Sequence, residues 1–218
     1  MSEFYAEVDE EVRREQLKRL WDQYSLYIIA LALLIIVGVG GWRAYQYVEA
    51  QKSAEAGSAF NKAIELSDQN KHAEAEAAFA SIASGTAPSG YRMLARFHQA
   101  AEVATRDKAA AAKLYDALAA DRSIGAEQQE LARLRAAGVL VDSTPYADLK
   151  QRLEGDAGAG ATFRHAVREL LALSAWRAND AAAARQWLDM IALDGDTPPG
   201  LRSRAEALQA LLPPVAKS

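Results

Sequence analysis

Cysteine is absent from this chain of 218 residues. Without it, the protein has no disulfide scaffold, no thiol nucleophile and no thiolate ligand for a metal. A folded domain of this composition must therefore be stabilised by its core alone.

Recognisable catalytic and ligand-binding motifs are also missing. The three histidines, His72, His98 and His165, are isolated from one another and from any metal-binding spacing, so we interpret each as a surface or turn residue. Residues 155–160 are rich in glycine but lack the Lys-Ser/Thr of a phosphate loop, which indicates a flexible linker. Residues 194–196, Asp-Gly-Asp, are too few for a calcium loop and indicate a turn. We expect no enzyme activity, cofactor, metal or small-molecule substrate.

Two further absences restrict the fold and the partners. From Arg43 onward, 21 lysines and arginines balance 22 aspartates and glutamates, so no basic face for nucleic acid is expected. Valine and isoleucine are sparse after residue 50, and no stretch alternates apolar and polar residues as a strand does. The sequence predicts an all-α fold without a nucleic-acid partner.

Charged residues are missing from residues 23–42, and this stretch is long enough as a helix to cross the hydrocarbon core of a bilayer. Aromatic and basic residues suited to the membrane interface flank it, Trp21 and Tyr24 on one side and Trp42 and Arg43 on the other. The alternatives are a buried core helix and a cleaved signal peptide. A signal peptide would begin with a short basic region, whereas an acidic segment of about twenty residues comes first here.

The predicted layout has four parts: an N-terminal segment (1–22), a transmembrane helix (23–42), a helical domain (43–212) and a C-terminal tail (213–218). Four basic residues precede the span, Arg13, Arg14, Lys18 and Arg19, and only Arg43 and Lys52 follow it closely. This asymmetry predicts a cytoplasmic N-terminus. In a Gram-negative bacterium, the chain would then cross the inner membrane once and place residues 43–218 in the periplasm.

A helical repeat pattern follows the span. Between Gly57 and Pro88, small residues at Ala63 and Ala75 would let two helices pack closely, Asn70 would form the turn, and Phe79 would fill the space between the helices. This is the pattern of a tetratricopeptide repeat. Three further units fit it, at Ala100–Leu118, Ala132–Leu153 and Ala172–Ile191, and the one at Ala132–Leu153 is degenerate. A helix from Leu201 to Leu212 would cap the solenoid. The alternative is an alanine-rich bundle with accidental similarity.

The inner face of such a solenoid is formed by the first helix of each unit and commonly binds proteins or peptides. In this register, five large apolar residues fall on that face: Phe60, Ile64, Phe97, Leu173 and Trp176. They predict a hydrophobic groove for an extended chain or a partner helix. If the register is wrong by one residue, the same residues belong to the core.

The whole chain resembles the YfgM-like ancillary subunits of the SecYEG translocon. The resemblance rests on the acidic segment Glu7-Val-Asp-Glu-Glu-Val-Arg-Arg14, the exit Gly41-Trp42-Arg43 from a single span, and the degenerate repeats. It implies an inner-membrane adaptor that works with the translocon and a PpiD-like isomerase, and passes newly exported clients to periplasmic chaperones. Two alternatives with the same architecture or anchor remain: another envelope scaffold, in cytochrome maturation, cell division or outer-membrane assembly, and a membrane-anchored enzyme.

Overall fold

A computed structural model describes residues 2–214 of the chain, with side chains described from Lys18 onward except that of Leu20. The described residues form nine α-helices and one short 3-10 helix, and no strand, which confirms the predicted all-α class. The helices are α1 (Ser2–Asp68), α2 (His72–Ser84), α3 (Ser89–Ala104), α4 (Lys108–Ala119), α5 (Ala126–Leu140), α6 (Tyr146–Leu153), α7 (Arg164–Arg177), α8 (Ala181–Ala192) and α9 (Pro199–Ala210), and the 3-10 helix is Glu154–Ala157.

The chain divides into two compact units, Met1–Ala54 and Glu55–Ser218, and α1 contributes to both. The predicted boundaries after residues 22 and 42 do not interrupt this helix and stay predictions. In the first unit, α1 is the one described helix that is long and apolar enough to cross a membrane. No residue of its apolar window is buried inside the protein. Residues 215–218 of the predicted tail lie outside the described residues.

The second unit is built from helix pairs, and the predicted pairing of helices is confirmed. The end of α1 pairs with α2, then α3 with α4, α5 with α6 and α7 with α8, while α9 packs on α7 and α8 at the predicted capping position. Most small and large residues of the pattern are buried: Ala63, Ala75, Phe79, Ile82, Ala100, Val103, Ala111, Tyr115, Leu118, Ala132, Ala136, Leu149, Leu153, Ala172, Ala175, Ala184, Leu188 and Ile191. Two large residues of the pattern, Leu66 and Val139, are only half-buried.

The first and fourth pairs turn in the same way. Asn70 and Asn179 have φ angles of 60° and 59°, in the left-handed region that asparagine tolerates better than most residues. After each asparagine, a backbone N–H reaches back into the finished helix, Lys71 N to Leu66 O and Asp180 N to Ala175 O, both at 2.9 Å. These bonds satisfy carbonyls that the helix end would leave unpaired. The predicted asparagine turns are therefore confirmed.

Phe79 fills the centre of the first helix pair. Its side chain is fully buried among the alanines of three helices, Ala63, Ala75 and Ala95. Its ring lies 5.3 Å from that of Phe60, edge to face, and stacks on the imidazole of His98 at 5.0 Å. The interpretation of His98 as a surface or turn residue was therefore wrong, because its ring is part of an aromatic cluster. Burial lowers the pKa of His98, and the positive charge of Arg135 acts in the same direction, while Glu102 opposes them.

A cluster of charged groups closes the last repeat. Asp194, in the loop after α8, accepts hydrogen bonds at 2.9 Å from Arg164 Nε and Arg168 Nη1, and His165 Nε2 lies 3.0 Å from its Oδ2. Arg168 is buried and also donates to the Met190 carbonyl. His165 is buried in α7, so its interpretation as a surface or turn residue was also wrong. The predicted turn at residues 194–196 is confirmed, and it holds α7 against the end of α8.

The glycine-rich stretch 155–160 differs from the flexible linker that we expected. Its first half belongs to the 3-10 helix, where Asp156 accepts two hydrogen bonds from Arg133, at 2.6 and 2.8 Å. Arg168 Nε donates to the carbonyl of the buried Ala157 at 2.9 Å. Composition alone predicted flexibility because the arginines that hold this stretch come from distant parts of the chain.

Truncation of Phe79 tests the packing of the repeats. We expect Phe79→Ala to lower the free energy of unfolding by about 3–5 kcal/mol, because the lost ring leaves a cavity between helices that cannot close fully. Urea unfolding of the full-length protein, followed by circular dichroism, measures the change. Leu193→Ala is the matched control, since the side chain of Leu193 is 86% exposed and its loss should change stability little. Equal effects of the two variants would contradict the assigned core.

The Asp194 cluster predicts a stability that depends on pH. The hydrogen bond from Arg164 holds the pKa of the Asp194 carboxyl well below its usual range, so the charged form stabilises the fold above the ordinary aspartate pKa. This contribution of the charged carboxylate to stability is lost progressively as the pH falls below about 3.9, the ordinary pKa of an aspartate. We expect Asp194→Asn to lower the melting temperature by several degrees at neutral pH, and the difference from the wild type to narrow in acid.

Asp196→Asn is the control for that measurement. Asp196 also pairs with Arg164, at 3.2 Å, but its side chain is 86% exposed, so water screens the interaction. Two results would contradict this role of Asp194. One is a fall in melting temperature in Asp196→Asn as large as that in Asp194→Asn. The other is a difference in melting temperature between Asp194→Asn and the wild type that does not change with pH.

Candidate partner-binding groove

An open groove runs across α3, α5 and α7 of the second unit, which are the first helices of the second, third and fourth repeats, and α4 contributes Tyr115 to its lining. Its volume is about 380 Å³, within the range of sites that bind ligands. The side chains and backbone around it are those of Ala101, Ala104, Tyr115, Leu134, Arg135, Gly138, Val139, Ala166, Glu169, Leu170 and Leu173.

Small residues form part of this surface and large aliphatic ones the rest. In α5, the position that a Cβ of Gly138 would take has no atom within 4 Å apart from those of the adjoining helix backbone and chain neighbours, so the groove is open there. Leu173 is 38% exposed, and Trp176, one turn later on α7, is 44% exposed. Exposed apolar groups of this size on one helix face are typical of a surface that contacts another molecule.

Two charged residues line the groove, and their surroundings differ. Glu169 accepts two hydrogen bonds from Arg204 of α9, at 2.7 and 2.8 Å, so its charge is compensated within the protein. Arg135 of α5 is exposed, and its guanidinium has no hydrogen-bond or ion-pair partner among the described residues. The groove therefore presents one uncompensated positive charge between apolar walls.

Tyr115 contributes the polar group nearest the core. Its hydroxyl donates to the Phe97 carbonyl at 3.4 Å, which fixes the ring between α3 and α4. Burial raises the pKa of the Tyr115 phenol, while the positive charge of Arg135 lowers it to a smaller extent. The phenol is neutral at physiological pH and acts as a hydrogen-bonding group rather than as a base.

The five residues predicted for the inner face lie in two environments. Phe60 and Ile64 are half-buried against the first core cluster, and Phe97 is half-buried against the second, 6.1 Å from the ring of Tyr115. Leu173 lines the groove, and Trp176 is exposed. Whether any of them contacts a partner stays a prediction.

Several groove residues were not predicted from the sequence, namely Leu134, Val139, Leu170 and Arg135. The third repeat is the degenerate one: its pattern placed Val139 in the core and did not single out Leu134. A signal for them exists in hindsight: both lie within three residues of a buried alanine of the repeat pattern, Ala132 or Ala136. Nothing in the sequence distinguishes Arg135 from the other arginines.

The residues predicted for the membrane interface are all exposed. Trp21 is 57% exposed, Tyr24 46% and Trp42 62%, and Arg43 is exposed beside them in α1. Trp42 and Tyr45 lie with ring centroids 6.1 Å apart. Exposure leaves these side chains free to contact lipid headgroups, and that contact stays a prediction.

The chemistry available in the groove is that of binding. Among the residues that the structure describes, no three histidine, aspartate or glutamate side chains come together as a metal site would require. The groove combines apolar surface, one guanidinium, one compensated carboxylate and one phenol. Such a surface suits a segment of another protein.

Comparisons with known proteins identify the family. No curated protein and no solved structure matches the chain. A family model described as a tetratricopeptide repeat-like domain matches residues 18–186, a range that runs from α1, before its apolar stretch, into α8. Domains of this kind are typically interaction modules without enzyme activity. The chain belongs to the tetratricopeptide repeat-like domain family.

Proposed function

We propose that the protein is a non-enzymatic adaptor, anchored in the bacterial inner membrane, that acts at the Sec translocon and passes newly exported proteins to periplasmic chaperones. The observation that carries the proposal is the pairing, in one chain, of a tetratricopeptide repeat-like domain that exposes an apolar groove with a long apolar helix that the protein does not cover.

The exposure of the apolar part of α1 supports the anchor. Large side chains such as Leu26, Tyr27 and Leu34 are about 70% exposed, at 74%, 71% and 69%. Moving each such leucine side chain from water to a hydrocarbon environment contributes roughly 1.5–3 kcal/mol. The absence of buried residues from the apolar window argues against a core helix, and the acidic segment before it argues against a signal peptide.

The distribution of basic residues supports the topology. With the excess of arginine and lysine before the span, the N-terminal segment 1–22 lies in the cytoplasm, residues 23–42 cross the membrane, and the repeats lie in the periplasm. Trp21, Tyr24, Trp42 and Arg43 anchor the two interfaces. The groove then faces the compartment that newly exported chains enter.

The identity of the partners rests on the resemblance to YfgM-like subunits. It favours the SecYEG channel, a PpiD-like isomerase and periplasmic chaperones or clients, with the exposed Leu173 and Trp176 as the first contacts on the repeat domain. An envelope scaffold with other partners has the same anchor and the same repeats, so the partner itself decides between the two functions.

Photo-crosslinking in intact membranes, followed by pull-down of the full-length protein, tests the adaptor. We expect SecY-type channel subunits and a periplasmic isomerase among the crosslinked partners, because the anchor places the protein in the same membrane. In a variant whose residues 1–42 are replaced by an unrelated single-span anchor of the same orientation, we expect the channel subunits to be lost and the periplasmic partners to be kept.

That replacement separates contact from mere proximity in the membrane. Recovery of division, cytochrome-maturation or outer-membrane assembly factors in place of translocon components would overturn the translocon function and favour the envelope scaffold. Unchanged recovery of channel subunits with the unrelated anchor would contradict a contact through residues 1–42.

A further inference from the structure

Arg135 is the one charge of the groove that the described part of the protein leaves uncompensated. The other charged residue of the lining, Glu169, accepts hydrogen bonds from two guanidinium nitrogens of Arg204. The described residues show no ion pair between Glu169 and Arg135, and the two-point contact with Arg204 already compensates the charge of Glu169. The groove therefore lacks an anion for Arg135.

The location of Arg135 limits what can supply that anion. It belongs to α5, the middle of the three helices, with Ala101 and Ala104 of α3 on one side and Leu170 and Leu173 of α7 on the other. Its positive charge acts on groups of both helices of the second repeat, His98 of α3 and Tyr115 of α4. A segment lying across the groove would meet apolar surface, then the guanidinium, then apolar surface again.

Desolvation of Arg135 favours a partner segment that carries an anion. A segment that covers the apolar walls also removes water from Arg135, and a guanidinium that loses water without gaining a partner opposes binding. A carboxylate in the segment would replace that water with a charge-assisted, two-point hydrogen bond. A segment without one would bind the same apolar walls more weakly.

We propose that the groove binds a protein segment in which one internal aspartate or glutamate is flanked on both sides by apolar residues, with the carboxylate paired to Arg135. The apolar surface on both sides of Arg135 favours an internal side chain over a chain terminus, because the segment continues in both directions. This proposal rests on the proposed function, whose partner it describes by its chemistry. A nucleic acid is not expected, since one cation provides too little charge for a phosphate backbone.

Synthetic peptides test the proposal directly. The probes are labelled peptides of about 12 residues, long enough to cross three helices, in a set of leucine- and phenylalanine-rich frames. Each frame is made in three versions with glutamate, glutamine or lysine at its centre. Fluorescence anisotropy with the full-length protein in lipid nanodiscs measures their affinities. We expect the glutamate version of the best frame to bind roughly fivefold more tightly than the glutamine version, and the preference to shrink at high salt.

Four variants assign the effect to the groove. Arg135→Gln should remove the preference for glutamate. It should weaken binding of the glutamate peptide and strengthen binding of the glutamine peptide, because no guanidinium is then covered without a partner. Arg135→Lys should keep part of the preference because it keeps the charge. Leu173→Ala should lower the affinity for all three versions of the peptide by the same factor. Arg122→Gln is the matched control, since Arg122 is an exposed arginine outside the groove and the change in net charge is the same.

The proposal is overturned if no frame binds, if the glutamate and glutamine peptides bind equally, or if Arg122→Gln removes the preference as fully as Arg135→Gln does. Failure here is distinct from failure of the proposed function. If Arg135→Gln still crosslinks to the periplasmic partners with the yield of the wild type, the adaptor function stands and the role of Arg135 falls.

Discussion

Contact between alanines is the constraint on which the repeats depend. At the points where neighbouring helices meet, Ala63, Ala75 and Ala95 in the first cluster have no exposed surface at all. A larger side chain there would push the helices apart, because a close-packed interior has no room for additional methylene groups. With the helices held close, one large residue per pair, such as Phe79 or Leu188, fills the remaining space.

That arrangement leaves the first helix of each repeat only partly covered. Alanine on the core side satisfies the packing, so the other side of α3, α5 and α7 remains available for residues that serve another purpose. Leu173 illustrates the point, since its neighbour Ala172 is fully buried while Leu173 itself lines the groove. Stability and binding are thus assigned to different faces of the same helices.

Alanine-rich interfaces bury little apolar area per residue, and polar contacts between repeats set their register. Glu102 of α3 is buried and accepts a hydrogen bond of 2.6 Å from Ser67 in α1, with His72 Nδ1 of α2 at 2.8 Å. Removal of one partner would leave a charge buried without compensation, which is costly even where the pair itself adds little. Such contacts favour one alignment of neighbouring repeats over a slipped one.

The sequence predicts the helix pairs well and the groove only in part. Small and large residues recur at repeat spacing, and the turns at Asn70 and Asn179 have a strong local preference, so both could be found without a structure. Which charges of the groove are compensated could not be predicted from the sequence. Glu169 is compensated by Arg204, 35 residues away, and only the packing of α9 on α7 brings the two side chains together. His98 and His165 were misassigned for the same reason: isolation in sequence does not reveal the ring of Phe79 or the carboxylate of Asp194.

The separation of core and binding face is tested by comparing Trp176→Ala with Phe97→Ala, each assayed for thermal stability and for capture of the periplasmic partners recovered by crosslinking. Trp176 is 44% exposed and Phe97 is packed against the core, so we expect Trp176→Ala to keep the melting temperature and to lose capture of these partners. For Phe97→Ala we expect the free energy of unfolding to fall by roughly 1–3 kcal/mol. A Trp176→Ala variant that unfolds like Phe97→Ala yet captures its partner normally would contradict the separation of core and binding face.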